Sequence, residues 1–153
     1  IHSLLEAARW SPSSMNAQPW RFLVGLREDS NFAALVSSLK ENNLEWAPNA
    51  SAIVLVAATG EKVSNIEIFD AGLAVSALIT QAQSMGLHTH QMGGFSKSKV
   101  KEVFSLPENV EPVVLIGVGK ISEPSKLSQA LLERELAPRS RKPLTELMLK
   151  GLN

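Results

Sequence analysis

Two apolar runs constrain this chain more than any other feature. Residues 51–59, "SAIVLVAAT", and residues 110–119, "VEPVVLIGVG", are nearly continuous in apolar residues and of strand length. A strand with one wet face alternates apolar and polar side chains; a continuous run is covered on both faces. The fold must therefore bury at least two strands between other elements. Residues 20–26, "WRFLVGL", read as a further strand, and 87–95, "LHTHQMGGF", as a short strand or extended turn.

Helical spacing supplies the covering layers. Residues 1–10 carry Ile1, Leu4, Leu5 and Ala8 on one side and stop before Pro12. Residues 30–40 read as a helix with Ser30 as its N-cap, and 96–106 as a short helix capped by Ser96. The longest helix candidate is 66–86, with Gly86 at its C-terminal end. Its apolar positions extend beyond one stripe, so it should be buried on most sides, in part by a second subunit. Asp70, early in that helix, reads as a structural hydrogen-bond acceptor. Residues 125–136 form a charged helix, 138–143 a basic loop, and 144–153 an apolar tail. The order of segments gives three or four strands with packed helices, in one domain over 1–153.

Composition excludes several functions. Fifteen basic residues balance fifteen acidic ones, which argues against nucleic acid as the main partner. There is no cysteine, so disulfides, thiolate metal sites and cysteine nucleophiles are excluded. That fits a reducing compartment, and a cytoplasmic location is expected. No apolar run reaches the length of a membrane span.

Most chemical motifs fail on inspection. "GVGK" at 117–120 lacks the spacing of a phosphate loop and the third glycine of a dinucleotide fingerprint. His88 and His90 share a strand face, but no third ligand is evident, so no metal is expected. No serine sits in a Gly-x-Ser-x-Gly elbow. Two features remain. The loop "ARWSPSSMNAQPWRF", residues 8–22, holds more hydrogen-bonding side chains than a simple connection needs. Arg139 and Arg141 precede Pro143 in the basic loop. Taken singly, these read as a capped turn and a solvated surface.

Together with "MGGF" at 92–95, "FDAGLAVSALITQAQSMGL" at 69–87 and "PRSRKPLTEL" at 138–147, they form a pattern. It resembles the nitroreductase family of FMN-dependent NAD(P)H oxidoreductases. The resemblance implies an α+β fold: a three-layer α/β/α sandwich around a mixed, mainly antiparallel sheet, in an intertwined homodimer. FMN would lie in the dimer interface. NADH or NADPH would reduce it, and a small-molecule acceptor such as a nitroaromatic or quinone would reoxidise it in a ping-pong cycle. The flavin would carry the chemistry, so no catalytic side chain is implied. A flavin-binding or scaffold protein without turnover is the alternative.

The resemblance also implies the site. Pro12, Ser13, Ser14 and Asn16 would lie against the flavin from the partner subunit, with Gln18, Pro19 and Trp20 fixing their loop. Met92, Gly93 and Gly94 would sit near its reactive edge. Arg139 and Arg141 would bind its phosphate. Many family members begin with "R-R-S-x-R", and this sequence starts just after that place, so an N-terminal segment is expected to be missing from it. The connection from Ala58 to Ile66 is also shorter than usual, and Gly93 stands where some members carry an acid.

Overall fold

The computed structural model describes residues 1–40 and 42–150. They fall into two compact units, Ile1–Ser122 and Glu123–Asn153. The first contains α1 (His2–Arg9), β1 (Trp20–Leu26), α2 (Ser30–Ser38), α3 (Asn43–Trp46), β2 (Ala52–Thr59), α4 (Asn65–Ser84), β3 (His88–Met92), α5 (Lys97–Val103) and β4 (Val110–Gly119). The second contains α6 (Gln129–Leu136) and α7 (Leu144–Leu147). Of the expected apolar tail, 151–153 lie outside the described residues.

The four strands form one sheet in the order β1-β2-β4-β3. The two continuous apolar runs are β2 and β4, and they take the central places. Seven of the eight β2 residues are buried, as cover on both faces requires. All three pairings are antiparallel, so the mainly antiparallel sheet is observed, with no parallel pairing among the described residues. Leu55 sits opposite Leu23 on one side and Leu115 on the other. The β2–β4 register shifts between Val56 and Ala57, beside Pro112. Pro112 donates nothing to a ladder, and β3 pairs only from Leu115 onward, so the proline sits where β4 has no neighbour on that side.

Helices cover both faces and give the three layers. On one face α1 and α4 pack Leu4, Ala8, Ala71, Ala74, Leu78 and Ala82 against Trp20, Val54, Val56 and Ile116. On the other, α2 and α5 pack Phe32, Leu35 and Val100 against Ile53, Leu55, Met92 and Leu115. The strand residues divide between the clusters by alternation along each strand, as a pleated sheet requires.

Local sequence explains most helix ends. Ser64 and Glu67 close a capping box at the start of α4: the Ser64 N–H donates to Glu67 Oε2 at 2.8 Å, and Ile66 N–H to Ser64 Oγ at 3.2 Å. α4 ends before Gly86, whose φ of +67° is the left-handed value a glycine adopts freely. Ser96 caps α5 by accepting from the Lys99 N–H at 3.3 Å. The expected cap of α2 is corrected: Asp29, not Ser30, holds that place. Its carboxylate accepts from the N–H of Phe32 at 2.6 Å and of Leu26 at 2.8 Å, bonds that hold its pKa below the ordinary value. A carboxylate reaches two amides at once, which the hydroxyl one residue later does not. Helix α3 was not foreseen at all; it is one turn long, too short for periodicity to show.

Candidate functional site

The loop between α1 and β1 is built under strain. Ser14–Asn16 form a 3-10 turn. Met15, Asn16 and Gln18 all have left-handed backbones, with φ of 52°, 55° and 49°. Such conformations cost on the order of 1 kcal/mol each outside glycine, so the surroundings must enforce them. They do so with several bonds. Ser13 Oγ accepts from the Gln18 N–H at 3.0 Å, and the Gln18 side-chain amide donates to the Asn16 carbonyl at 3.2 Å. Pro19 and Trp20 are buried, and the Pro19 carbonyl accepts from the Thr59 N–H at 2.8 Å. The Ser14 N–H donates across 56 residues to Asp70 Oδ2 at 2.9 Å.

Two hollows flank this loop along α4. Pro12, Ser13 and Ser14 line one of about 500 Å³ together with Asn65, Phe69 and Asp70. Trp10, Ser11 and Pro12 line another of about 520 Å³ with Leu73, Ala77 and Thr80. Trp10 is held by Glu6, whose carboxylate accepts from the indole N–H at 2.9 Å. The Arg9 guanidinium, and then that indole, hold the Glu6 pKa down to about 2. Asn16 is exposed and lines neither hollow.

The Met92–Gly94 segment is built differently. The Met92 side chain is buried in the core beside Phe95 and Leu115, so it can offer a ligand only its backbone. The Gly94 carbonyl is tied inward twice, by the Lys40 N–H at 3.0 Å and by Asn43 Nδ2 at 3.2 Å. A Cβ at Gly94 would lie 2.8 Å from that Asn43 nitrogen, so a larger residue here would push the Asn43 side chain off the carbonyl. A Cβ at Gly93 would meet nothing within 4 Å. Among the described residues, the N–H groups of Gly93 and Gly94 find no acceptor.

Within one chain these two groups do not converge. They adjoin opposite edge strands of the sheet, the opening loop leading into β1 and the glycines following β3, with β2 and β4 between. The opening loop leans onto α4 on one face; the glycines lean onto α3 on the other. Arg139 and Arg141 belong to the second unit. Both are exposed, and neither forms an ion pair among the described residues. Arg141 Nη1 donates to the Ser140 carbonyl at 2.7 Å. His88 and His90 lie on the exposed part of β3, with the His90 ring tilted at 56° against Trp46, centroids 4.6 Å apart. Among the described residues no three His, Asp or Glu side chains gather as metal ligands.

The family model described as the nitroreductase family matches residues 1–30 and 25–120. The chain belongs to the nitroreductase family. It is 32% identical over 142 residues to the uncharacterized 15.4 kDa protein of the ask 5′ region of Mycolicibacterium smegmatis, covering 86% of this chain and 95% of that protein. It is 25% identical over 169 residues to "Putative NAD(P)H nitroreductase YdgI" of Bacillus subtilis strain 168, covering 84% and 80%. Among solved structures it resembles the crystal structure of an oxidoreductase containing FMN, at 33% identity and a TM-score of 0.89, over 99% of this chain and 80% of that one.

Sequence reasoning missed two residues beside the glycine pair and one bond of the opening loop. Lys40 and Asn43 orient Gly94. Asp70 was recognised as an acceptor, but its partner, Ser14, was not. A signal existed for Asp70: it stands on the stripe it shares with Ala74, Leu78 and Ala82, where a charge must have a specific partner.

Proposed function

We propose that this chain is an FMN-dependent NAD(P)H oxidoreductase, one FMN-binding domain of a cytoplasmic homodimer that reduces a nitroaromatic, quinone or similar small molecule in a ping-pong cycle. The observation that carries this reading is the unclaimed pair of N–H groups at Gly93 and Gly94. The carbonyl beside them is fastened inward, which leaves the donors for a ligand. A flavin fits them, because its ring edge offers acceptors and a glycine backbone lets a flat ring come close.

Bound FMN supplies hydride transfer between the two substrates. The protein's part is to bind, orient and screen. Gly93 and Gly94 would donate to the flavin edge, with Met92 contributing backbone alone. Pro12, Ser13, Ser14 and Asn16 would form a second wall of short side chains that leave the ring face open. Their places at opposite edges of the sheet in one chain favour a wall supplied by the second copy. Arg139 and Arg141, free of acidic partners among the described residues, would hold the phosphate by charge-assisted hydrogen bonds.

The test is the absorbance of the purified protein. Flavin bands near one FMN per chain, bleached by NADH or NADPH and restored by a quinone, are expected. Colourless protein that takes up no added FMN would overturn the reading. Bound flavin that no reduced nicotinamide bleaches would point instead to a binding protein without turnover.

A further inference from the structure

Asp70 is the one charged residue among the buried residues described, at 4% exposure. It stands at the head of the stripe by which α4 packs on the core, next to Ala71 and one turn before Ala74. A carboxylate there gives up much of its hydration, and apolar packing would hold the helix as well. No cation pairs with it among the described residues. Its hydrogen-bond donor is the Ser14 N–H, 2.9 Å from Oδ2.

That N–H begins the strained turn. The other bonds of the turn, Asn16 N to the Ser13 carbonyl at 3.1 Å and Gln18 N to Ser13 Oγ at 3.0 Å, are internal to it. They set its shape and leave its position free. Position is set downstream, where Pro19 joins the sheet through Thr59 and Arg21 Nη1 donates to the Gln18 carbonyl at 3.1 Å, and upstream, where Ser14 meets Asp70. Between them lie three left-handed residues, with Met15 almost fully exposed at 96%. Without the upstream tie the turn can relax toward ordinary backbone angles and carry Ser13, Ser14 and Asn16 away from α4.

We propose that Asp70 is a positioning residue for the cofactor site: its buried carboxylate pins the Ser13–Asn16 turn to α4 and so sets where those side chains meet FMN. The inference rests on the FMN reading above. It assigns Asp70 an action through Ser14, without contact to the cofactor. It also joins the site to α4, so the helix that presents an open apolar face also fixes the flavin loop.

Two variants test it. Asp70→Leu removes the acceptor and keeps the volume; Asp70→Asn keeps one carbonyl oxygen able to accept from Ser14. FMN titration followed by flavin fluorescence should show Asp70→Leu weaker than the parent by about tenfold or more, and Asp70→Asn within about threefold. In flavin-free protein, amide exchange over 12–18 should accelerate in Asp70→Leu and remain near the parent rate in Asp70→Asn. A folded Asp70→Leu that binds FMN within about twofold of the parent overturns the proposal. So does an Asp70→Asn as impaired as Asp70→Leu, since the rescue by an acceptor would be absent. If Asp70→Leu does not fold, Asp70→Asn alone decides: parent-like exchange over 12–18 supports the tie, and accelerated exchange removes it. If the parent itself takes up no FMN, the oxidoreductase reading fails, while the exchange measurement still judges the tie.

Discussion

Helices α2 and α5 turn Asn31, Ser37, Lys97, Ser98, Lys99 and Glu102 to the outside, whereas α4 and the end of α1 turn out Ile66, Phe69, Met85 and Trp10. The inner faces of the two layers are alike. Each packs an aliphatic stripe onto the same sheet, Leu35 and Val100 on one side and Leu78 and Leu4 on the other. The outer faces are opposites. Trp10 is 75% exposed and Phe69 66%, while the α2/α5 layer leaves little more than Val103. An isolated apolar residue on a surface means nothing, but Ile66, Ile68 and Phe69 gathered at the start of α4 mark a place meant for cover. Gly72, on the same helix, has nothing within 4 Å of where a Cβ would stand, so another helix could approach closely. One layer is complete in the single chain; the other leaves apolar residues open, and the proposed second copy would cover them.

The strongest way to break this contrast is to charge the open face. Phe69→Asp should convert the proposed dimer into a folded monomer and abolish FMN retention, as read by sedimentation velocity and flavin absorbance. Val103→Glu, on the closed layer, should change neither. If both variants sediment like the parent, the open face is not the interface. If Val103→Glu also dissociates the protein, the two layers are not distinct in the way argued here.

Next in size is the claim that the inner faces are equivalent. Leu78 and Leu35 are both fully buried, one in each cluster. Leu78→Ala and Leu35→Ala should each destabilise by about 2–5 kcal/mol, measured by urea unfolding. A much smaller loss at Leu78 would show that the α4 layer is loosely held in the chain, and that the contrast reaches inward.

The contrast was only half legible in the sequence. β1 and β4 have the expected bounds because a run of strand-forming residues is a local property, written residue by residue. The excess of apolar positions on 66–86 pointed to the apolar residues that α4 leaves exposed, Ile66, Ile68 and Phe69. What stayed hidden is non-local. The Asp29 cap depends on the path of the chain from Leu26 to Phe32, and the Asp70–Ser14 bond spans 56 residues. Sequence alone did not show that Ser14 and Gly93 adjoin opposite edges of the sheet. No spacing along a chain states which strands are edges.

A smaller effect concerns the second unit. If Arg141 holds the phosphate of a flavin seated at the open layer, Arg141→Ala should weaken FMN binding by about 1.5–3 kcal/mol, the range for hydrogen bonds to charged groups. Unchanged affinity in a flavin titration would place the phosphate elsewhere and leave Arg141 a solvated surface residue.

The smallest effect lies on the closed layer, where charge finishes the surface. Glu111 at the start of β4 accepts from Lys101 at 2.7 Å and Lys97 at 3.0 Å, both on α5. The Lys101 bond first, then Lys97, hold its carboxyl below the ordinary value, against a partial burial that pushes it up. A carboxyl whose folded pKa is depressed adds stability above its unfolded pKa, about 4.3 for glutamate, and that share disappears as pH falls through the folded value. The groups are partly exposed, so Glu111→Gln should cost under about 1 kcal/mol at pH 7. Urea midpoints of parent and variant should then converge toward pH 3, and the gap at pH 7 should shrink in molar salt. A gap that persists at pH 3 would assign the loss to packing at β4 instead of to the lysines. The closed layer would then owe its finish to shape alone, and its polar exterior could not be counted as the counterpart of the apolar face on α4.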